Sequence, residues 1–215
     1  MKVISLNVGL PREIQWNDRL VTTGIFKEPV AGRVMLRASN LDGDRQADLT
    51  VHGGTDKAAY AYPSEHYDYW RRELPKTPLP WGAFGENFTT EGLLDDAVHI
   101  GDRFQIGPAA EVVVTQPRMP CYKLGIKFGD DAMIKRFLTS ERSGFYFAVL
   151  REGEVGAGDT IVRTAVDARR MTVTDIVRLY ASKHPDRDVL RRATELEALP
   201  TSWRDYFREQ LDPQD

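Results

Sequence analysis

Hydrophobic and polar residues alternate in short stretches up to about residue 165, and Gly, Pro, Asn and Asp separate the stretches. Alternation with a period of two is typical of half-buried β-strands, and the separating residues favour turns. The pattern predicts strands at residues 3–8, 34–38, 59–62, 102–106, 111–115, 145–150 and 160–164. Because helices do not alternate regularly with these strands, we expect a β-barrel rather than a doubly wound parallel sheet.

Two helices are predicted inside this strand-rich part of the chain. Ser64 can cap a helix over residues 65–74, because a side-chain oxygen at that position accepts hydrogen bonds from the first backbone N–H groups. Asp130 or Asp131 can begin a second helix that runs through Phe137. We therefore expect a fold that is mainly β with helices added.

The periodicity becomes helical after residue 167. Thr172 and Asp175 have the spacing of a capping box with the shorter acid, and two further amphipathic segments follow at 186–196 and 202–211. Short helices of this kind need a partner surface, which is either the barrel or a second subunit in a homodimer. The sequence thus predicts two domains, a barrel over residues 1–167 and a three-helix unit over residues 168–215.

Composition and charge exclude several classes of protein. The 215 residues are 41% hydrophobic and 28% charged, which is ordinary for a globular chain. A net charge of -3 argues against a nucleic-acid polymer as partner and leaves only a local cationic pocket for an anion. With no signal peptide and no run of about 18 apolar residues, no membrane partner is expected. One cysteine cannot form an internal disulfide, so we expect a cytoplasmic protein.

The single cysteine, Cys121, is the first candidate for chemistry. It lies in the run Thr-Gln-Pro-Arg-Met-Pro-Cys-Tyr-Lys-Leu of residues 115–124. Arg118 and Lys123 flank it, and nearby cations favour the thiolate, which is both the nucleophile and the metal ligand. The residue alone leaves open a second reading, in which Cys121 is a small buried apolar side chain.

A polar segment over residues 42–57 surrounds the pair Gly53 and Gly54. Glycine lets the backbone approach a ligand closely, so these two residues with His52 and Lys57 can present N–H groups and a cation to an anion. An ordinary surface loop is the alternative for so short a motif.

A second polar cluster lies at residues 85–92. Glu86, Asn87, Thr89 and Thr90 offer donors and acceptors that suit a polar heterocycle, although the same residue types also serve turns and caps. Elsewhere, the histidines at 52, 66, 99 and 184 are scattered, and the chain has no Cys-x-x-Cys or His-Glu-x-x-His pattern. Neither a classical zinc site nor a phosphate-loop or dinucleotide-binding fold is predicted.

These motifs together resemble a MOSC domain, in their order and in their spacing. The resemblance is to the YiiM-like branch of that family, in which a β-barrel precedes a small three-helix domain, and it covers nearly the whole chain. It is carried by residues 43–48, 52–58, 60–63, 85–88 and 116–124.

The resemblance implies a molybdenum cofactor, molybdenum-molybdopterin, with Cys121 as both catalytic residue and metal ligand. A thiolate is a soft ligand that suits such a metal. The cofactor is anionic, and cations and hydrogen-bond donors would hold it. The cofactor-binding residues implied in this way are Arg45, His52, Gly53, Gly54, Lys57, Asn87, Thr89, Gln116, Arg118 and Lys123.

The activity implied by the resemblance is reduction of small N-hydroxylated compounds, such as hydroxylaminopurine-type base analogues, to amines. Electrons would come from a separate reductase, because the chain has neither a flavin fingerprint nor the cysteines of an iron–sulfur cluster. Two alternatives remain open. Cys121 could carry sulfur as a persulfide, or the protein could bind the cofactor without catalysis.

Overall fold

The computed structural model describes residues 1–47 and 53–211. The strands are β1 Lys2–Val8, β2 Arg12–Trp16, β3 Arg19–Thr23, β4 Glu28–Pro29, β5 Arg33–Leu36, β6 Ala59–Pro63, β7 Phe88–Glu91, β8 Arg103–Ile106, β9 Ala110–Pro117, β10 Phe145–Arg151, β11 Gly153–Gly156 and β12 Ile161–Ala165. The helices are α1 Glu65–Glu73, α2 Tyr122–Phe128, α3 Ala132–Thr139, α4 Val173–Ala181, α5 Arg187–Thr194 and α6 Thr201–Leu211, and Thr55–Lys57 forms a 3-10 turn.

Eight strands form one sheet in the order β12-β8-β9-β10-β6-β7-β1-β4. The neighbours pair antiparallel except β6 and β7, which run parallel. The two ends of this sheet meet, because Lys2 bridges Thr160 and the Val3 N–H donates to the Asp159 carbonyl at 2.9 Å. These bonds close the sheet into the barrel that the alternation predicted.

The barrel interior is filled by side chains. Leu6, Phe88, Phe104 and Phe147 are fully buried, and the Phe147 ring lies 6.3 Å from each of the other two rings. Burying a side chain of this size stabilises the fold by about 1.5–3 kcal/mol. The interior is therefore a packed core, and a ligand must bind outside it.

A second, aromatic core joins α1 and α3 to the outside of the barrel. Tyr62, Trp70, Phe84 and Phe137 are buried together, and the Trp70 indole N–H donates to the Tyr62 hydroxyl at 2.6 Å. This hydrogen bond satisfies two polar groups that would otherwise be costly to bury. The aromatic core forms a rigid wall beside the site described below.

The last three helices pack on the barrel and on one another. The predicted capping box is present, since the Thr172 hydroxyl accepts from the Asp175 N–H at 3.0 Å and the Asp175 carboxylate accepts from the Thr172 N–H at 2.9 Å. Buried Phe207 of α6 belongs to the same apolar core as the barrel. The barrel thus supplies the partner surface that these helices need. The boundary at residue 167 and the homodimer stay predictions.

Five strands and one helix were not predicted: β2, β3, β4, β7, β11 and α2. Strand β7 is buried at Phe88, Thr89 and Thr90, so its polar and hydrophobic residues do not alternate and its sequence resembles that of a polar loop. Helix α2 begins after Cys121, which makes no side-chain capping hydrogen bond and is not a typical capping residue. The hairpin of β2 and β3 pairs only with itself within the described residues, and no prediction placed a strand there.

Candidate functional site

A cavity of about 100 Å³ opens beside Cys121. It brings together segments that are far apart in the sequence: the chain after β3, the polar segment before β6, the turn before β7, and the chain from the end of β9 into α2. The described residues that line it are Thr23, Gly24, Ile25, Lys27, Arg45, Gln46, Ala47, Gly53, Lys57, Tyr60, Phe84, Gly85, Asn87, Arg118, Met119, Cys121, Lys123 and Tyr146.

A second hollow, of about 350 Å³, lies near His66 and Asp95. Its wall mixes arginines with carboxylates, and several of these are already paired, such as Arg178 with Glu141 at 2.8 Å. None of the residues predicted to carry chemistry lies there. The cavity beside Cys121 is therefore the candidate site.

Cys121 is half-buried and occupies the N-cap position of α2. Its backbone is extended, with φ -126° and ψ 171°, and its carbonyl accepts the Leu124 N–H at 2.9 Å as the helix begins. The rigid Pro117 and Pro120 precede it in the chain. The thiol is thus presented to the cavity from a fixed junction between a strand and a helix.

Arg118 is the most informative group in the wall, because it is 5% exposed and carries an unsatisfied donor. The guanidinium lies over the Phe137 ring at 5.0 Å and the Tyr60 ring at 5.8 Å. Its Nη1 atom is buried and has no hydrogen-bond partner among the described residues. Burying such a donor costs about 1–3 kcal/mol, which an anionic ligand in the cavity would offset.

The wall is strongly cationic. No Asp or Glu is among the described lining residues, whereas five of them are basic: Lys27, Arg45, Lys57, Arg118 and Lys123. Partial burial lowers the pKa of Lys57, and the neighbouring Asp56 opposes that shift. A cavity with this charge attracts anions although the whole chain is acidic.

Lys27 is a wall residue that was not predicted from the sequence. Its ammonium pairs with the buried Asp44, whose carboxylate also accepts from the Gly9 N–H and from the Asn87 amide, both at 2.9 Å. Burial lowers the pKa of Lys27, and Asp44 opposes the shift. A Cβ on Gly9 would overlap the backbone of Phe26, so this glycine allows the close approach that places Lys27.

Tyr146 is a second lining residue that the pattern did not single out. Burial raises the pKa of the Tyr146 phenol, while Arg118 acts in the opposite direction and Cys121 adds to the rise. Tyr146, Arg118 and Cys121 all line the cavity. Tyr60, whose ring lies 5.4 Å from that of Tyr146, stood in a motif of the family resemblance, but its role as a wall residue was not predicted.

Asn87 lines the cavity as predicted but also organises it. Its amide donates to Asp44 and to the Asn7 carbonyl, and its side-chain oxygen accepts the Tyr60 N–H at 3.1 Å. Glu86 beside it is fully buried and accepts from Gly82 N–H at 2.8 Å, and burial raises its pKa. Together they fix the turn that presents Asn87 to the cavity.

Two other predicted ligands lie behind the wall. Thr89 is fully buried, donates to Glu86 at 2.9 Å and accepts from Asn7 at 3.2 Å. The Gln116 side-chain oxygen accepts from the Trp203 indole at 2.8 Å, on the side of the three-helix unit. The structure does not bring either residue to the cavity surface.

The glycine pair leads into the 3-10 turn that carries Lys57. Gly53 and Gly54 have φ of 114° and 87°, a region that side chains disfavour. Gly53 lines the cavity, whereas Gly54 accepts the Lys57 N–H at 3.1 Å through its carbonyl and is not part of the wall. His52 lies outside the described residues.

The residues of the wall fit a flat anionic cofactor. The unsatisfied donor of Arg118 and the surrounding cations suit a phosphate, and the rings of Tyr60, Phe84 and Tyr146 suit a heterocycle. Within residues 1–47 and 53–211, no three His, Cys, Asp or Glu side chains are grouped to hold a metal. Cys121 could thus be a single protein ligand to a metal whose other ligands arrive with the cofactor. In those same ranges no helix is long and apolar enough to cross a membrane.

Two family models match the chain. The first, described as "MOSC domain", matches residues 48–162, and the second, described as "YiiM-like, 3-alpha helix domain", matches residues 171–213. The first match spans the segments that carry Lys57, Asn87 and Cys121.

Similar proteins include two that match this chain over nearly their full length and one that is much longer. The uncharacterized protein YflK from Bacillus subtilis is 40% identical, over 98% of this chain and 94% of its own length. A protein named "Reductase" from Gibberella moniliformis is 33% identical over 82% of this chain, which corresponds to 32% of that longer protein. The crystal structure of YiiM from Geobacillus stearothermophilus superposes with a TM-score of 0.82 at 35% identity, covering 98% of each chain.

Proposed function

The chain belongs to the MOSC family and carries the three-helix domain of its YiiM-like branch, and on this premise we propose a molybdenum cofactor-dependent reductase of N-hydroxylated compounds. MOSC domains are in general a molybdenum cofactor-binding family. The observation that carries the proposal is that Cys121 and the unsatisfied Arg118 donor line one cationic cavity.

Each part of the cavity has a role in holding the cofactor. Arg118 donates to the phosphate with its planar guanidinium, because that geometry matches phosphate oxygens better than a lysine does. Arg45, Lys57 and Lys123 supply further positive charge. Cys121 is the protein ligand to molybdenum, which when bound supplies a two-electron couple.

The proposed reaction consumes two electrons and two protons. The N–O bond of R–NHOH breaks, the nitrogen keeps its carbon bond and gains a proton, and the oxygen leaves as water: R–NHOH + 2e⁻ + 2H⁺ gives R–NH₂ + H₂O. Tyr60 and Phe84 form aromatic walls that orient a flat substrate such as a hydroxylaminopurine-type base. The half-buried site limits competing access of water.

The electrons come from a separate reductase in this proposal. The printed name of the Gibberella relative, "Reductase", supports the class of chemistry, and the matched region is 32% of that protein. We place the reaction in the cytoplasm, where a single thiol stays reduced.

Metal and pterin analysis of anaerobically purified protein tests the proposal. We expect wild type from a cofactor-competent host to retain molybdenum and pterin, and Cys121→Ser to lose metal and turnover of a hydroxylamino base while keeping its melting temperature. Oxygen for sulfur changes ligand softness far more than volume. Tyr122→Phe, on the exposed neighbour, is the matched control.

Four results would contradict the proposal. The first is wild-type protein without molybdenum, and the second is full turnover by Cys121→Ser. The third is a stable added sulfur on Cys121 in the mass spectrum with no retained metal, which would favour a persulfide carrier. Bound cofactor with no turnover by a chemical reductant would instead favour a binding module.

A further inference from the structure

We propose that the three-helix unit positions the cationic cavity, with Trp203 acting through Gln116 on the 3-10 turn that carries Lys57. The proposal gives Gln116 a role away from the cavity surface and gives the helical unit a role in ligand binding. It builds on the proposed function only in treating the cavity as an anion site.

Two hydrogen bonds connect the helical unit to the turn, and a third holds the same carbonyl of the turn from β9. The Trp203 indole N–H donates to the Gln116 side-chain oxygen at 2.8 Å. The Gln116 amide in turn donates to the Asp56 carbonyl at 3.4 Å. The same carbonyl accepts the Thr115 hydroxyl at 2.6 Å, so two neighbouring residues of β9 hold it.

Asp56 immediately precedes Lys57 in the turn Thr55–Lys57. Its carbonyl belongs to the peptide unit that carries the Lys57 N–H, and that N–H donates to the Gly54 carbonyl at 3.1 Å. A shift of the Asp56 carbonyl therefore rotates the peptide plane from which Lys57 extends. Because Lys57 lines the cavity, its ammonium would move relative to a bound anion.

The other end of this connection is held firmly. Trp203 lies in α6, where its ring centre is 5.4 Å from that of Tyr180 and 5.7 Å from that of Phe207. Phe207 is fully buried in the apolar core that the helices share with the barrel. The indole is thus an anchor that fixes the rotamer of Gln116.

Strand β9 contacts the helical unit and leads directly into the cavity wall. Gln116 contacts the helical unit, and Arg118, just past the strand end, lines the cavity. Both Gln116 and Pro117 pair with β10, so this part of the strand is rigid. The helical unit can therefore influence Lys57 without displacing Arg118.

Trp203→Phe tests the connection, because it removes the indole N–H while keeping an aromatic ring. Losing one hydrogen bond corresponds to about a three- to tenfold change in an equilibrium. We expect folded Trp203→Phe protein to bind inorganic phosphate about threefold to tenfold more weakly than wild type, as measured by titration calorimetry. Tyr206→Phe, on the same helix and in the same aromatic cluster, should bind phosphate like wild type.

A double-mutant cycle separates positioning from general destabilisation. In a Lys57→Met background, Trp203→Phe should cause no further loss of phosphate affinity, because its effect passes through Lys57. Amide hydrogen exchange should become faster at residues 55–58 and stay unchanged in β1. Equal weakening in both backgrounds, or unchanged exchange at 55–58, would overturn the proposal.

These measurements need no molybdenum and no substrate. If wild-type protein lacked molybdenum, the proposed function would fail and the phosphate cycle would still report on Trp203. If Trp203→Phe bound phosphate like wild type, the helical unit would have no positioning role, and the proposed reductase activity would be unaffected.

Discussion

The structural environment of Arg118 indicates an anion-binding role more clearly than its position in the sequence does. Its guanidinium is buried between aromatic rings, and Nη1 has no hydrogen-bond partner among the described residues. The flanking position beside Cys121 suggested a cation that favours a thiolate. The structure adds an unsatisfied donor on a residue that lines the cavity, and in the proposed phosphate contact this donor acts through the planar guanidinium rather than through charge alone.

Arg118→Lys should therefore weaken inorganic phosphate binding although the charge is conserved. A hydrogen bond to a charged group contributes about 1.5–3 kcal/mol, so we expect a loss of about tenfold or more in affinity by titration calorimetry. Arg142→Lys is the matched control, because Arg142 also lies over a tyrosine ring, at 4.0 Å from Tyr69, but outside this cavity. Wild-type affinity in Arg118→Lys would show that charge alone suffices.

At the scale of elements, regular patterns were predictable and irregular ones were not. Strand β8 alternates in burial over its whole length and β9 over its first five residues, and the capping box of α4 has a fixed spacing, so these elements could be found from the sequence. Strand β7 has successive buried residues, and α2 lacks a typical capping residue. A local pattern carries no information about burial that arises only when distant segments pack.

The capping box of α4 gives a test at this scale. Thr172→Ala removes the hydroxyl that accepts the Asp175 N–H, and loss of such a cap costs about 0.5–2 kcal/mol. We expect the urea midpoint of unfolding to fall by a corresponding amount. Thr172→Ser keeps the oxygen and should retain most of the stability, and an equal loss in both variants would assign the effect to the methyl group.

At the scale of the whole molecule, the site is formed by segments that are far apart in the sequence and that packing brings together. Arg118, Lys123 and Cys121 are close in sequence and could be grouped by inspection. The glycine pair pointed to Lys57, and the family resemblance added Arg45. Lys27 could not be found, because only the folded chain places it against Asp44 at the cavity wall. A net charge of -3 likewise gives no hint of a cationic cavity.

The buried Glu86 makes the stability of the whole fold depend on pH. Burial raises the pKa of Glu86 above its ordinary value of 4.5, so the folded state holds this proton more tightly than the unfolded chain. Between that value and the raised pKa of the folded state, the folded protein binds more protons than the unfolded chain. The free energy of unfolding therefore falls as the pH rises through this range. Glu86→Gln should remove this contribution from the slope.

Urea unfolding from pH 4 to pH 8 measures the effect as the difference between wild type and Glu86→Gln. Other carboxylates titrate in both proteins and cancel from the difference. Glu91→Gln, on an exposed carboxylate of β7, is the control. Parallel curves for wild type and Glu86→Gln would contradict the prediction.

The pairing of Lys2 and Val3 with Asp159 and Thr160 closes the barrel, and it also determines the order in which the barrel can fold during synthesis. Val3 bonds to Asp159, so more than 150 residues of chain must follow Val3 before the N-terminal half of the outer edge of β1 is paired, whereas its C-terminal half pairs with the nearby β4. Contacts of such sequence separation favour slow folding and leave a strand edge exposed meanwhile. During translation, all described residues that line the cavity would be synthesised before Asp159. Helices α4, α5 and α6 would leave the ribosome after Asp159, while the barrel is closing.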